Sequence, residues 1–265
     1  MSEDPAIPKI DYTFNGWIGC LAISPGCDNC YAKRIAARMF PREQLWAPGA
    51  TYHTFADKHW EEPLAWERRA MRLGRRLRVF TSSMADVFDK NAPFGARERL
   101  FRLMRATPYL DWIIITKRIG NAKAMLPADW GAGYPNVWLG ATIVTQAEAD
   151  RDILKLERTP AHIRFVMCEP LLEQVSFKRS SGFPAIDWVM VGGESGPRAR
   201  PLDPAWPRAL RDECQAAGVP FFFKQGSEAN WPHFKDSSHF PADLRIREEP
   251  RGAAHREIQI PLFEI

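Results

Sequence analysis

The chain has no run of about 18 apolar residues, the length a membrane-spanning helix needs, so no membrane span is expected. It opens Met1-Ser-Glu-Asp-Pro-Ala-Ile-Pro-Lys9, without a basic stretch followed by an apolar one, which predicts no signal peptide. Cysteine is sparse: five residues in 265, an odd number, three of them in one short segment. That usage argues against a secreted disulfide framework and leaves a soluble cytoplasmic protein as the simplest reading. A large excess of either charge is also missing. Thirty-six lysines and arginines stand against 32 aspartates and glutamates, a formal net charge of +4. So mild a balance is compatible with a nucleotide or nucleic-acid partner without requiring one. No internal repeat is present, and nothing in the sequence fixes an oligomeric state.

What is present is ordinary globular composition, 45% hydrophobic and 26% charged, in a chain long enough to bury a sizeable core. Short, nearly continuous apolar runs recur at Leu77–Thr81, Trp112–Thr116, Val137–Thr142, Ile163–Met167, Trp188–Val191 and Val219–Phe223. Such runs suit strands buried on both faces of a parallel sheet. Helical patterns fill the gaps. They cover Tyr31–Met39, Pro63 to about Arg75, Ala96–Arg105, a helix opened by the capping box Thr145-Gln-Ala-Glu148, and one running from Asp203-Pro204 to a stop at Gly218. Strand and helix alternate about six times, which predicts an α/β fold, a TIM-like partial (β/α) barrel with mostly parallel strands. The barrel domain is expected over 1–226, and 227–265 as an irregular C-terminal extension packing on or beside it. The end of that extension, Ile258–Phe263, reads as an edge segment. Pro41–Trp60 reads as a surface excursion or lid. Most of the ten tryptophans and 16 phenylalanines fall inside strands or helices and are expected in the core rather than as base-stacking platforms.

The densest chemistry is the run Gly19-Cys-Leu-Ala-Ile-Ser-Pro-Gly-Cys-Asp-Asn-Cys-Tyr31. Cys20, Cys27 and Cys30 follow a C-x6-C-x2-C spacing around a Pro25-Gly26 turn, so the segment curls round one point. No histidine in the run completes a tetrahedral zinc site. Three thiolates without a fourth ligand suit a 4Fe–4S cluster that keeps one iron open, the iron with which a radical S-adenosylmethionine (SAM) enzyme binds its cofactor.

In parallel α/β folds the site lies at the carboxyl ends of the strands, and here all six runs end in polar residues. They end in Thr81-Ser-Ser-Met-Ala-Asp86, Thr116-Lys117-Arg118, Thr142, Cys168-Glu169-Pro170, Gly192-Gly193-Glu194 leading to Arg198 and Arg200, and Lys224-Gln225-Gly226. Glu169 and Glu194 directly after buried strands need partners if ionised. Gly192-Gly193-Glu194 has two readings: a close approach of backbone to a ligand, with Glu194 accepting from an ammonium group, or a tight strand-to-helix turn with a salt-bridged glutamate. Cys214 reads as a core residue. Cys168 is open between core or cleft lining, a fourth metal ligand, and a thiol hydrogen donor in the cleft.

Taken together, Gly16-Trp-Ile-Gly-Cys20, Ser24-Pro-Gly-Cys27, Asn29-Cys30-Tyr-Ala32, Glu169-Pro-Leu-Leu172 and Gly192-Gly-Glu-Ser-Gly196 resemble the phage and prophage three-cysteine-motif family, over about residues 10–228. That family is a domain of unknown function with a radical-SAM-like cysteine signature. The resemblance implies a partial TIM barrel with a three-cysteine loop after the first strand, and an iron–sulfur protein of the radical SAM type. It supplies no substrate. The common radical SAM loop is C-x3-C-x2-C, so the first gap is longer here, and Asn29 stands before Cys30 where the common loop has an aromatic residue; Tyr31 follows instead.

These readings give a first hypothesis. Cys20, Cys27 and Cys30 hold a 4Fe–4S cluster that cleaves SAM with electrons from an external donor. Tyr31, Asp86, Thr142, Gly192, Gly193 and Glu194 are its candidate cofactor contacts, and Glu169, Glu194 and Lys224 its candidate catalytic residues. Lys117, Arg118, Arg198 and Arg200 are candidates for binding an anionic substrate, a nucleotide or nucleic acid. The second hypothesis is a zinc-binding nucleic-acid-interaction module of phage origin without radical chemistry, its fourth ligand Cys168 or His53.

Overall fold

The structure, a computed structural model, describes residues 10–180 and 183–250. Its centre is a seven-stranded parallel sheet formed by β1 (Tyr12–Phe14), β4 (Leu77–Thr81), β5 (Leu110–Thr116), β6 (Val137–Thr142), β7 (Ile163–Cys168), β8 (Trp188–Gly192) and β9 (Phe221–Gln225). The strands follow one another across the sheet in chain order, with β1 and β9 at its two ends. Six helices connect them: α1 (Tyr31–Met39), α2 (Asp57–Leu73), α3 (Ala96–Ala106), α4 (Ile119–Met125), α5 (Gln146–Glu157) and α6 (Ala205–Ala217). The sheet curls into a half-barrel, the partial TIM-like α/β fold that the alternating apolar runs predict.

Side chains alternate across each strand and separate two cores. Leu77, Val79, Trp112, Ile114, Leu139, Val166, Val189 and Phe223 point to the helix layer and share one large cluster with it. Ile113, Trp138, Phe165, Met167, Trp188, Met190 and Phe222 form the other, on the concave face. Burial of both faces is why these strands read as continuous apolar runs. Gly140 of β6 makes room on the concave side, since a Cβ there would lie 2.3 Å from the Phe165 ring.

Several elements depart from the sequence reading. α2 begins at Asp57, ahead of Pro63, which lies inside the helix and is buried there. Proline's usual place at a helix start made Pro63 look like one. Pro41–Trp60, read as a surface excursion or lid, is largely exposed but anchored in the core. Leu45, Tyr52 and Trp60 are buried, and His53–Thr54 (β3) pairs antiparallel with Trp17–Ile18 (β2). β1, β2 and α4 are too short or too weakly patterned to have been expected. In the C-terminal extension, Phe240 and Leu244 join the main core. Ile246–Glu248 runs antiparallel beside β9, with Phe223 N donating to Ile246 O at 2.9 Å and Glu248 N to Phe221 O at 3.1 Å. The edge segment expected at Ile258–Phe263 lies outside the described residues. Among the described residues no helix is long and apolar enough to cross a membrane.

Candidate functional site

The cysteine loop leaves β2 and sits at the carboxyl-terminal end of the sheet. Gly19 starts it in the left-handed region (φ 137°), where a Cβ would run into the Tyr52 ring. Its N–H donates to Met84 O at 3.1 Å, and Cys20 N donates to Leu45 O at 3.2 Å. Ser24 Oγ accepts from Gly26 N at 3.1 Å and opens the short 3-10 turn Pro25–Cys27. Cys30 then caps α1. Gly26 packs against the end of β6 and the stem of Lys117, with Val144 Cγ1 3.0 Å and Lys117 Cε 3.5 Å from where a Cβ would sit. Tyr31, at the first position of α1, donates its hydroxyl to Ser83 O at 2.9 Å.

Two charged networks hold the loop, one at each end. The first centres on Arg118, at the end of β5, which pairs with Asp86 at 3.1 Å and Asp89 at 3.2 Å; all three side chains are buried. Arg118 also donates to Leu21 O at 2.7 Å and to Cys20 Sγ at 3.4 Å. Asp86 takes further hydrogen bonds from Thr116 Oγ1, Lys117 N and Phe88 N. Asp89 takes one from the Tyr52 hydroxyl. Burial pushes the Cys20 thiol up to about 12, with the attraction of Arg118 working against it. Burial would lower the Arg118 pKa, but Asp86, Cys20 and Asp89 together raise it. Burial and the bond to Asp89 also raise Tyr52.

The second network centres on Glu194, just past β8. Its carboxylate accepts from Arg200 N at 2.8 Å, Nε at 2.9 Å and Nη2 at 2.6 Å, and from Asn29 Nδ2 at 3.0 Å. Burial pushes the carboxyl up, yet the bonds from Arg200 and Asn29 outweigh it and hold Glu194 below its ordinary range. Arg200 reaches on to Pro25 O at 2.9 Å and Asp28 at 3.3 Å, tying the segment after β8 to the cysteine turn.

Asp86, Arg118, Glu194 and Arg200 therefore satisfy one another and the loop. All four are candidate contacts to cofactor or anion, and in the structure they support Cys20 and the 25–30 turn. Gly193 packs closely on protein, since a Cβ there would lie 2.5 Å from the Gly226–Ser227 backbone. Gly192 gives room to Glu169, whose carboxyl carbon would be 3.3 Å from its Cβ. Lys224, one register position inward on β9, donates to both Glu169 oxygens at 2.8 Å. This pair, with Thr142, lies at the top of the concave face. Arg198 is exposed on the outer side of the segment after β8.

The three loop thiols are unpaired and each is half-buried. Among the described residues no three His, Cys, Asp or Glu side chains are gathered as a metal site. The three thiols match a three-thiolate ligand set in number and chemistry, but they are not gathered, so ligation requires them to converge from the positions described. Both candidate fourth ligands are engaged by other groups. Cys168 is fully buried in the core on the helix side of β7, next to Cys214, and burial pushes its thiol well above the ordinary range. It lines no cleft. His53 pairs with Glu43 at 3.3 Å and packs against Phe40.

Sequence reasoning missed Asp89, Tyr52, Asn29 and Asp28 as parts of the site. Their roles arise from contacts across the fold, such as Asn29 with Glu194, which no local pattern announces.

Fold and site together define a parallel half-barrel that carries a clamped three-thiol loop at its carboxyl-terminal mouth. The chain belongs to the family described as protein of unknown function (DUF5131), which it matches over residues 4–254. No curated protein and no solved structure matches it.

Proposed function

We propose that the protein is a radical SAM-like iron–sulfur enzyme acting on a nucleotide or nucleic-acid substrate, with Cys20, Cys27 and Cys30 as the ligands of a 4Fe–4S cluster. The observation that carries this reading is the loop itself: three unpaired thiols on one segment at the mouth of a parallel half-barrel, while the other two cysteines of the described residues are buried in the core. When bound, such a cluster supplies one electron to SAM and hence the radical chemistry. The chain's own residues do the rest. Arg118 lies against Cys20 Sγ and offsets the charge that develops as the thiol loses its proton. Glu194 and Arg200 fix the 25–30 turn. Lys224, aimed by Glu169 on the concave face, is a donor for an anionic substrate group beside Gly192 and Thr142.

The test is anaerobic purification with iron, sulfide and zinc analysis and a visible spectrum, for the wild type and Cys30→Ala. About four irons and four sulfides per chain, lost in the variant, are expected. Stoichiometric zinc without visible absorption overturns the reading and leaves a zinc-binding nucleic-acid module.

A further inference from the structure

A groove of about 290 Å³ lies outside the half-barrel, between α1 and the turn Ser195–Arg198, with Cys30 on its wall. Three cations line it, Lys33 and Arg34 from α1 and Arg198 from the turn, all exposed. One carboxylate, Asp28, also lines the groove, and it and the neighbouring Glu194 and Glu228 are each engaged. Asp28 and Glu194 pair with Arg200, and Glu228 accepts from Gly196 N at 2.6 Å. α1 itself, Tyr-Ala-Lys-Arg-Ile-Ala-Ala-Arg-Met, contains no acidic residue. It adds Arg38, exposed, one turn beyond Arg34 and about 6 Å further along the helix. By contrast Arg75, Arg76, Arg118 and Arg211 are each held by an aspartate. Three cations share a groove whose one carboxylate, Asp28, already pairs with Arg200, so the charge left over is positive and an anionic ligand relieves the repulsion.

Arg34 is also seated. Gly196 has φ 110°, and a Cβ there would fall 2.2 Å from Arg34 Nη1, so the absent side chain leaves the space the guanidinium fills. A guanidinium so placed is pre-organised for an oxyanion. Arg34 and Arg38 stand one turn apart on α1, a spacing that lets more than one phosphate of a repeating anion be met. The groove's apolar residues, Ala37, Pro197 and Cys30, are all small, and no aromatic or large aliphatic side chain lines it as the anchor of a protein partner's hot spot.

We infer that this groove binds the sugar–phosphate backbone of a nucleic acid and carries the strand past Cys30. The inference rests on the nucleic-acid part of the proposed function and not on the cluster. It moves the polyanion contact from Lys117, Arg118 and Arg200 to Lys33, Arg34 and Arg198.

Fluorescence anisotropy of the full chain with a labelled single-stranded DNA of about 20 nucleotides tests it. Three phosphate contacts on a single strand predict a log–log salt slope of about −2. Replacing Lys33, Arg34 and Arg198 together by Ala should weaken binding by about tenfold or more at low salt and flatten the slope. Replacing Lys123, Arg158 and Lys178, which removes the same charge elsewhere on the surface, should leave affinity within about twofold. Matching thermal unfolding curves show that both variants are folded. Polyglutamate should not compete. Absent or salt-insensitive binding, equal losses in the two triple variants, or competition by polyglutamate equal to that by DNA would overturn the inference. Iron content, measured on the same preparations, separates the two readings. Iron without DNA binding sinks the groove alone, and DNA binding without iron sinks the cluster alone.

Discussion

At the residue scale, the charged groups around the cysteine loop are more occupied with one another than their positions in the sequence suggest. Glu194 illustrates the physics. A carboxylate directly after a buried strand needs donors, and Arg200 and Asn29 supply them. Because those bonds hold its pKa below the ordinary 4.5, the folded state takes up this proton less readily than the unfolded chain does. The stability Glu194 contributes is therefore present above that ordinary value and lost as pH falls through the lower folded one. Glu194→Gln keeps the shape and removes the charge, which should cost about 2 kcal/mol at neutral pH. Urea denaturation midpoints at pH 7 and along an acid series check this. The gap between wild type and variant should close on the acid side, and a gap that stays constant with pH would show that the charge is not the source.

At the element scale, the strands were legible and their partners were not. Val137–Thr142 reads as a strand because every residue is buried, and its observed bounds coincide with the apolar run. Thr145 and Gly218 mark helix ends by local chemistry, a side-chain cap and a left-handed residue, and both do so in the structure. β1 carries only three residues and takes its place from pairing with β4, a long-range fact. The same holds for the site. The cysteine spacing is local and stands out, whereas Asp86 with Arg118 and Asn29 with Glu194 meet only after folding. Polar residues at strand ends signal a functional face without saying which of them face a ligand and which neutralise a neighbour. Close packing inside the sheet is equally invisible in sequence until the strands are in register. Gly140 and Phe165 are adjacent across β6 and β7, and the ring occupies the space of the missing Cβ. Gly140→Ala should destabilise the fold by about 1–3 kcal/mol by overpacking. Phe165→Leu in the same chain should recover part of that loss, so a double-mutant cycle in urea should return a coupling of about 1 kcal/mol. Additive effects would mean that the ring does not bear on the glycine.

At the scale of the whole molecule, an open half-barrel has to protect two sheet ends that a closed barrel lacks. At β9 the protection comes from the C-terminal extension. Ile246–Glu248 takes the hydrogen-bonding positions along that edge, Arg247 covers the Phe222 ring, and the Trp188 indole N–H donates to Glu248 O at 2.8 Å. Glu249 then reaches Arg78 of β4 at 2.7 Å, so one short segment ties the last strand to the second strand of the sheet. Arg78 is buried on the concave side and lies over the Trp138 ring, where loss of its carboxylate would be felt. A chain ending after Arg245 should therefore lose more than a tail. It should bare the β9 edge, leave Arg78 without Glu249, and associate through edge pairing at concentrations where the full chain does not. Glu249→Gln in the full chain isolates the second effect, because the edge stays covered. Light scattering and thermal unfolding of both variants distinguish the two. The truncated chain should aggregate and melt lower, while Glu249→Gln should melt lower without aggregating. A truncated chain that remains disperse would mean that the β9 edge needs no cover, and the extension would then matter through Arg78 alone.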